Sequence, residues 1–96
     1  MAKQTAKRRP YLVTTEFRGV FFGYTDDPDA EIVVLTDARL CVSWSADMHG
    51  FTGLAATGPG EACRIGPTAP EVRLRGVTSV SAVAEEAEAR WLAATW

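Results

Sequence analysis

From Ala38 to Ser45 the chain alternates without a break. Ala38, Leu40, Val42 and Trp44 fall on one side, and Arg39, Cys41, Ser43 and Ser45 on the other. A period of two is the mark of a strand with two unlike faces, because successive side chains of extended backbone point opposite ways. The pattern predicts a β domain in which the Ala38–Trp44 side, Trp44 included, turns toward the core. Upstream, residues 17–24 are aromatic and β-branched, as strands favour. There Val20, Phe22 and Tyr24 share one face, while Gly19 and Gly23 lie on the other with Phe17 and Phe21. Two positions without side chains on one face allow a strand to coil tightly, as in small barrels.

The remaining punctuation fits the same class. Asp26 to Asp29 reads as a turn, and the unbroken apolar run Ile32 to Leu35 as a strand buried on both sides. Thr36-Asp37 then reads as a tight hairpin connection into the alternating strand. Between Ser45 and Pro70 glycines and prolines interrupt every apolar piece, which predicts irregular loops. Val72 and Leu74 alternate with Arg73 and Arg75, Gly76 breaks that strand, and Val77 to Val83 forms another. Residues 84–94 read as a helix with Ala84, Ala87, Trp91 and Ala94 inward and Glu85, Glu86 and Glu88 at its positive end. The expected fold is mainly β: a small SH3-like or partly open β-barrel of five to seven short strands with one C-terminal helix.

Charge divides the chain. Lys3, Lys7, Arg8 and Arg9 make the start basic, whereas the remainder sets six arginines against all twelve acids. Residues 1–10 therefore read as a basic, disordered tail and 11–96 as a single domain, with nucleic-acid contact confined to loose phosphate contacts from the tail. A folded nucleic-acid reader carries a basic face instead. An apolar fraction of 47% suits a globular domain, and no run approaches the length of a membrane span. The start has the positive flank of a signal peptide but no apolar stretch behind it. Cys41 and Cys63 are too few for a disulfide scaffold, and a reducing cytoplasm is the expected compartment.

Cys41, His49 and Cys63 are the soft metal ligands, and their spacings match no compact zinc pattern, so no metal is expected. His49 is the one histidine available as a base. Ser43, Ser45, Asp47 and Cys41 lie near it in number, but alternation along a strand separates neighbours, and no catalytic residue is assigned. The stretch Gly50 to Gly60 is glycine-rich yet lacks the Lys-Ser/Thr of a phosphate loop and a helix to follow it. No cofactor is expected. Arg39, Trp44, Asp47, His49 and Arg64 flank that stretch, and an aromatic ring with charged groups beside accessible backbone makes them the candidate ligand- or partner-binding residues. Arg73 and Arg75 read as a solvated face balanced by Glu71.

Several pieces together resemble an uncharacterised family of short proteins from tailed phages and prophages, over about Thr14 to Trp96. They are Arg18-Gly-Val-Phe-Phe-Gly-Tyr24, Leu35-Thr-Asp-Ala-Arg39, Trp44-Ser-Ala-Asp47, Gly53-Leu-Ala-Ala-Thr-Gly-Pro59, Cys63-Arg-Ile-Gly-Pro67 and the closing Trp91 and Trp96. The chain departs from that family in its N-terminal extension and at Ala84, where a threonine N-cap is the expected residue; the loss is worth about 1 kcal/mol of helix stability. The resemblance implies a phage or prophage origin and brings no activity with it. Residues 17–35 and 74–83 are also similar to the two halves of an Sm-like barrel, an analogy of fold alone.

The expectation is a non-catalytic phage accessory protein that binds a host component or assembles with itself. One alternative is a nucleotide or small-molecule binder with a pocket around the glycine-rich stretch between subunits; another is a small hydrolase. Homo-oligomerisation is expected because the strand through Phe21 and Phe22 shows aromatic residues on both faces, and one barrel interior holds only one set.

Overall fold

Residues 9–16 and 19–94 are described by the structure, a computed structural model. The basic tail up to Arg8, Phe17, Arg18 and the last two residues, Trp96 among them, lie outside the described residues, and so does the tail's expected contact with nucleic acid. Among the described residues are six strands: β1 (Arg9–Thr15), β2 (Val20–Thr25), β3 (Val33–Ser43), β4 (Arg64–Ile65), β5 (Ala69–Leu74) and β6 (Val77–Ala82). Between β3 and β4 lie a 3-10 turn (Ala46–Met48) and helix α1 (Gly50–Thr57); helix α2 (Glu85–Ala93) ends the described chain. Among the described residues no helix is long and apolar enough to cross a membrane.

All pairings are antiparallel, in an open sheet ordered β4-β3-β2-β1-β6, with β5 on the same edge of β3 as β4. β5 and β6 occupy opposite edges of this sheet, yet only Arg75 and Gly76 separate them. A flat sheet would set those edges about 19 Å apart, four strand spacings. Three peptide steps reach about 11 Å. The sheet must therefore curl, although its hydrogen-bonded ladder does not close.

Each side of the curl has its own core. On the concave side Val13, Val33, Leu35, Ala38 and Leu74 cluster, with Tyr11, Phe21 and Val80 partly buried against them. On the convex side Leu12, Phe22, Cys41 and Ile65 pack beneath Leu54 and Ala55 of α1 and Ala87 and Trp91 of α2. Trp91 is fully buried and stacks on Phe22, ring centroids 5.0 Å apart and 6° from parallel. Its indole Nε1 donates to the Leu54 carbonyl at 3.1 Å, which ties α2 to α1. Phe22 thus lies under a helix and Phe21 against the concave core. The aromatic residues of β2 need no second subunit to cover them, which removes the reason given above for self-association.

Four expectations are corrected. Thr36-Asp37 is no hairpin: β3 runs unbroken from Val33 to Ser43, and Asp37, at φ 49°, is taken up as a bulge. Phe22 pairs with Arg39 and Tyr24 with Thr36, so two β3 residues oppose Gly23 and the side-chain phase shifts by one. Second, the alternation after Ala38 is present but its burial is reversed. Arg39 and Cys41 face the helices, whereas Leu40, Val42 and Trp44 remain 40%, 46% and 37% exposed. Third, the run Ile32–Leu35 is buried on one side only, through Val33 and Leu35. Fourth, Gly50 to Thr57 is a helix rather than a loop. Its Gly53 is needed by close approach, since a Cβ there would stand 1.7 Å from the Met48 carbonyl oxygen. Gly58 ends it at φ +85°, where a Cβ would also strike Arg90 and Ala87 of α2.

α2 starts after Ala84, whose side chain provides no cap. Its N–H instead donates to the Ala55 carbonyl at 3.0 Å, and the Tyr24 hydroxyl donates to Glu88. Because Trp91 joins stack, helix contact and indole hydrogen bond, Trp91→Ala should cost about 3–5 kcal/mol. Urea denaturation of the full chain would measure this, and an unchanged midpoint would show α2 to be an appendage.

Candidate functional site

Of the five candidate residues, Arg39 is the one the fold consumes. It is 8% exposed, with Nε donating to the Gly66 carbonyl at 2.8 Å and Nη1 to the Trp91 carbonyl at 2.7 Å. Burial lowers its guanidinium pKa from the ordinary value. The bulge at Asp37 is what points this side chain under the helices, where it joins β3, the approach to β5 and the end of α2. Arg39 is a structural pin. Its side chain does not face a ligand surface.

Trp44, Asp47, His49 and Arg64 are exposed and gather at the far end of β3. Trp44 follows the strand directly. Ser45 then turns the chain, its hydroxyl hydrogen-bonded to Asp47, and Met48 N–H donates to the Ser45 carbonyl at 3.0 Å. His49 takes φ 61°, ending the 3-10 turn and preceding α1. Arg64 on β4 pairs with Ser43, one residue before Trp44. These four of the five candidates share one end of the strand, and beside them lie apolar neighbours that sequence reasoning missed. Leu40 and Val42, exposed on one face of β3 outside the concave core, lead up to Trp44. The alternation contained that signal; the bulge that decides which face is covered left none.

The two cysteines lie in the convex core, buried and unbridged. Burial pushes the Cys41 thiol up to about 12, and the neighbouring Cys63 adds to the effect. A thiol held neutral is a poor nucleophile and a poor metal ligand. Among the described residues no three of His, Cys, Asp and Glu lie close enough to hold a metal ion. One open groove of about 390 Å³ is lined by Pro59, Gly60, Glu61, Cys63, Arg90, Ala93 and Ala94. A second, of similar volume, runs between α1 and β6. None of the five candidates lines either one.

The Cys41 shift has a sign that can be tested. An unfolded thiol ionises near pH 8.5. Above that pH the unfolded chain has lost a proton the folded chain keeps, so stability falls as pH rises toward 12, by at most about 1.4 kcal/mol per unit. Cys41→Ala removes this titration. The stability gap between wild type and variant should therefore narrow from about pH 8.5 to about pH 11. A constant gap in urea midpoints would show that Cys41 ionises alike in both states.

No curated protein and no solved structure matches the chain. A family model described as a domain of unknown function, DUF6948, matches residues 8–91, which takes in every strand and all of α2 as far as Trp91. The chain belongs to the DUF6948 family.

Proposed function

We propose that this chain is a non-catalytic binding module, supplied by a phage or prophage and acting on a host component in the bacterial cytoplasm. The observation that carries the reading is the exposed run of Leu40 and Val42 on one face of β3 with Trp44 directly after the strand. Such a row, rimmed by Asp47, His49 and Arg64, has the make-up of a protein-binding patch: an aromatic anchor, aliphatic neighbours and a charged edge. The strand order β6-β1-β2-β3-β5, with its two-residue link between opposite edges, supports an SH3-like framework that presents this row at its rim. A nucleotide pocket has less to rest on, because the glycine-rich stretch is largely spent on α1 and its packing.

Val42→Glu alters an exposed side chain and should change stability by about 0.5 kcal/mol or less; Trp44→Ala, at a residue 37% exposed and outside both cores, should cost more but leave the chain folded. Each should weaken capture of a host protein by the full chain by about tenfold or more. Capture that persists in both folded variants would place the binding surface elsewhere. A wild-type chain that retains no host protein would end this reading.

A further inference from the structure

β6 is an edge strand: α1 meets its exit, where the Ala84 N–H donates to the Ala55 carbonyl, and the outer side of residues 79–82 carries no strand among the described residues. Val83 N–H donates to the Pro10 carbonyl, and Ser81 and Ser79 lie opposite Leu12 and Thr14. In an antiparallel ladder alternate residues turn their N–H and C=O toward the neighbouring strand. Residues 79, 81 and 83 therefore turn theirs to β1, and Val80 and Ala82 turn theirs outward. Among the described residues no strand pairs with that side.

The sheet's two long edges are treated differently. β5 reads Ala-Pro-Glu-Val-Arg-Leu, with a proline, an exposed Glu71–Arg73 ion pair (N···O 2.9 Å) and no two uncharged residues in succession after Pro70. Proline and charge are how natural sheets keep an edge from pairing. β6 reads Val-Thr-Ser-Val-Ser-Ala and has neither. Its one irregularity, the register shift opposite Thr14 and Thr15, lies at its start and leaves residues 79–82 regular.

We propose that β6 pairs antiparallel with β6 of a second copy, on a two-fold axis passing beside Ser81. The register follows from the outward groups. With Ser81 opposite its own copy, Val80 of each chain exchanges both backbone hydrogen bonds with Ala82 of the other. The side chains that meet are small and uncharged, so no like charges oppose one another. The groove beside this edge is lined by Thr52, Ala55 and Ala56 of α1 and by residues 81–84 of the strand and its exit. These short side chains make no deep pockets, and the Ala84–Ala55 contact limits any added strand to pairing with Val80 and Ala82. A foreign peptide added to an edge is selected by pockets for its alternate side chains; a second copy needs none. This surface is separate from the Leu40–Trp44 row, so a dimer would present two such rows.

Light scattering and sedimentation of the full chain at micromolar concentration should give twice the chain's 10.4 kDa. Ala82→Pro deletes an outward N–H without touching the β1 ladder, and Ser81→Lys sets two like charges against each other on the axis. Both should return the mass to 10.4 kDa. Hydrogen exchange requires no variant: the Val80 and Ala82 amides should gain protection as wild-type concentration rises, while other edge amides do not. A wild-type monomer throughout, or a dimer whose Val80 and Ala82 amides exchange freely, would overturn the proposal. So would a dimer that survives both folded variants, and if it yielded instead to Val42→Glu, the β3 row would be the interface.

Discussion

One extra residue in β3 decides what the two faces of this sheet carry. Without Asp37 as a bulge opposite Gly23, the face that holds Val33 and Leu35 would continue through Arg39 and Cys41. Arg39 would then enter the apolar concave core of Val13, Val33, Leu35 and Leu74, and Leu40 and Val42 would lie beneath the helices. The bulge exchanges them. It sends a guanidinium to two buried carbonyls and leaves three apolar side chains at the rim. A bulge also increases local twist, in keeping with the curl of the strands around it.

The convex core is held by hydrogen bonds to the backbone carbonyls of distant elements. Arg39 reaches the Trp91 carbonyl, the Trp91 indole reaches the Leu54 carbonyl, and the Ala84 N–H reaches the Ala55 carbonyl. Strand, first helix and second helix are thereby linked in sequence. Neither helix is long enough to persist in water alone. Each exists because the other and the sheet bury its inner face, so losing one link weakens both helices.

What could be read from the residues follows from what decides each element locally. The alternation after Ala38, the break at Gly76 and the helix around Trp91 are set by period and propensity, and each stands near its expected place. Helix α1 is set by packing instead. Gly50 and Gly53 argue against a helix by propensity, and the spacing Phe51, Leu54, Ala55, Gly58 was the faint signal in its favour. The bulge at Asp37 looks like a turn in sequence because the same left-handed backbone serves both. Trp44 and Arg39 were assigned to the wrong environments for that reason. Hydrophobicity said which residues alternate, and only the tertiary phase said which side is covered.

The link through Arg75 and Gly76 also bears on the order in which the molecule can assemble. β1, β2 and β3 form a local meander that can pair as soon as it is made. β1 gains its second neighbour only from β6, with Thr14 and Ser79 in contact across 65 positions of sequence. Phe22 likewise waits for Trp91. On a ribosome the first half of the chain would therefore emerge with both of its apolar faces bare, and the curl would lock only when its last segments arrived. Pairings this distant in sequence are slow to form, and during that interval the nascent sheet is a natural client for a chaperone.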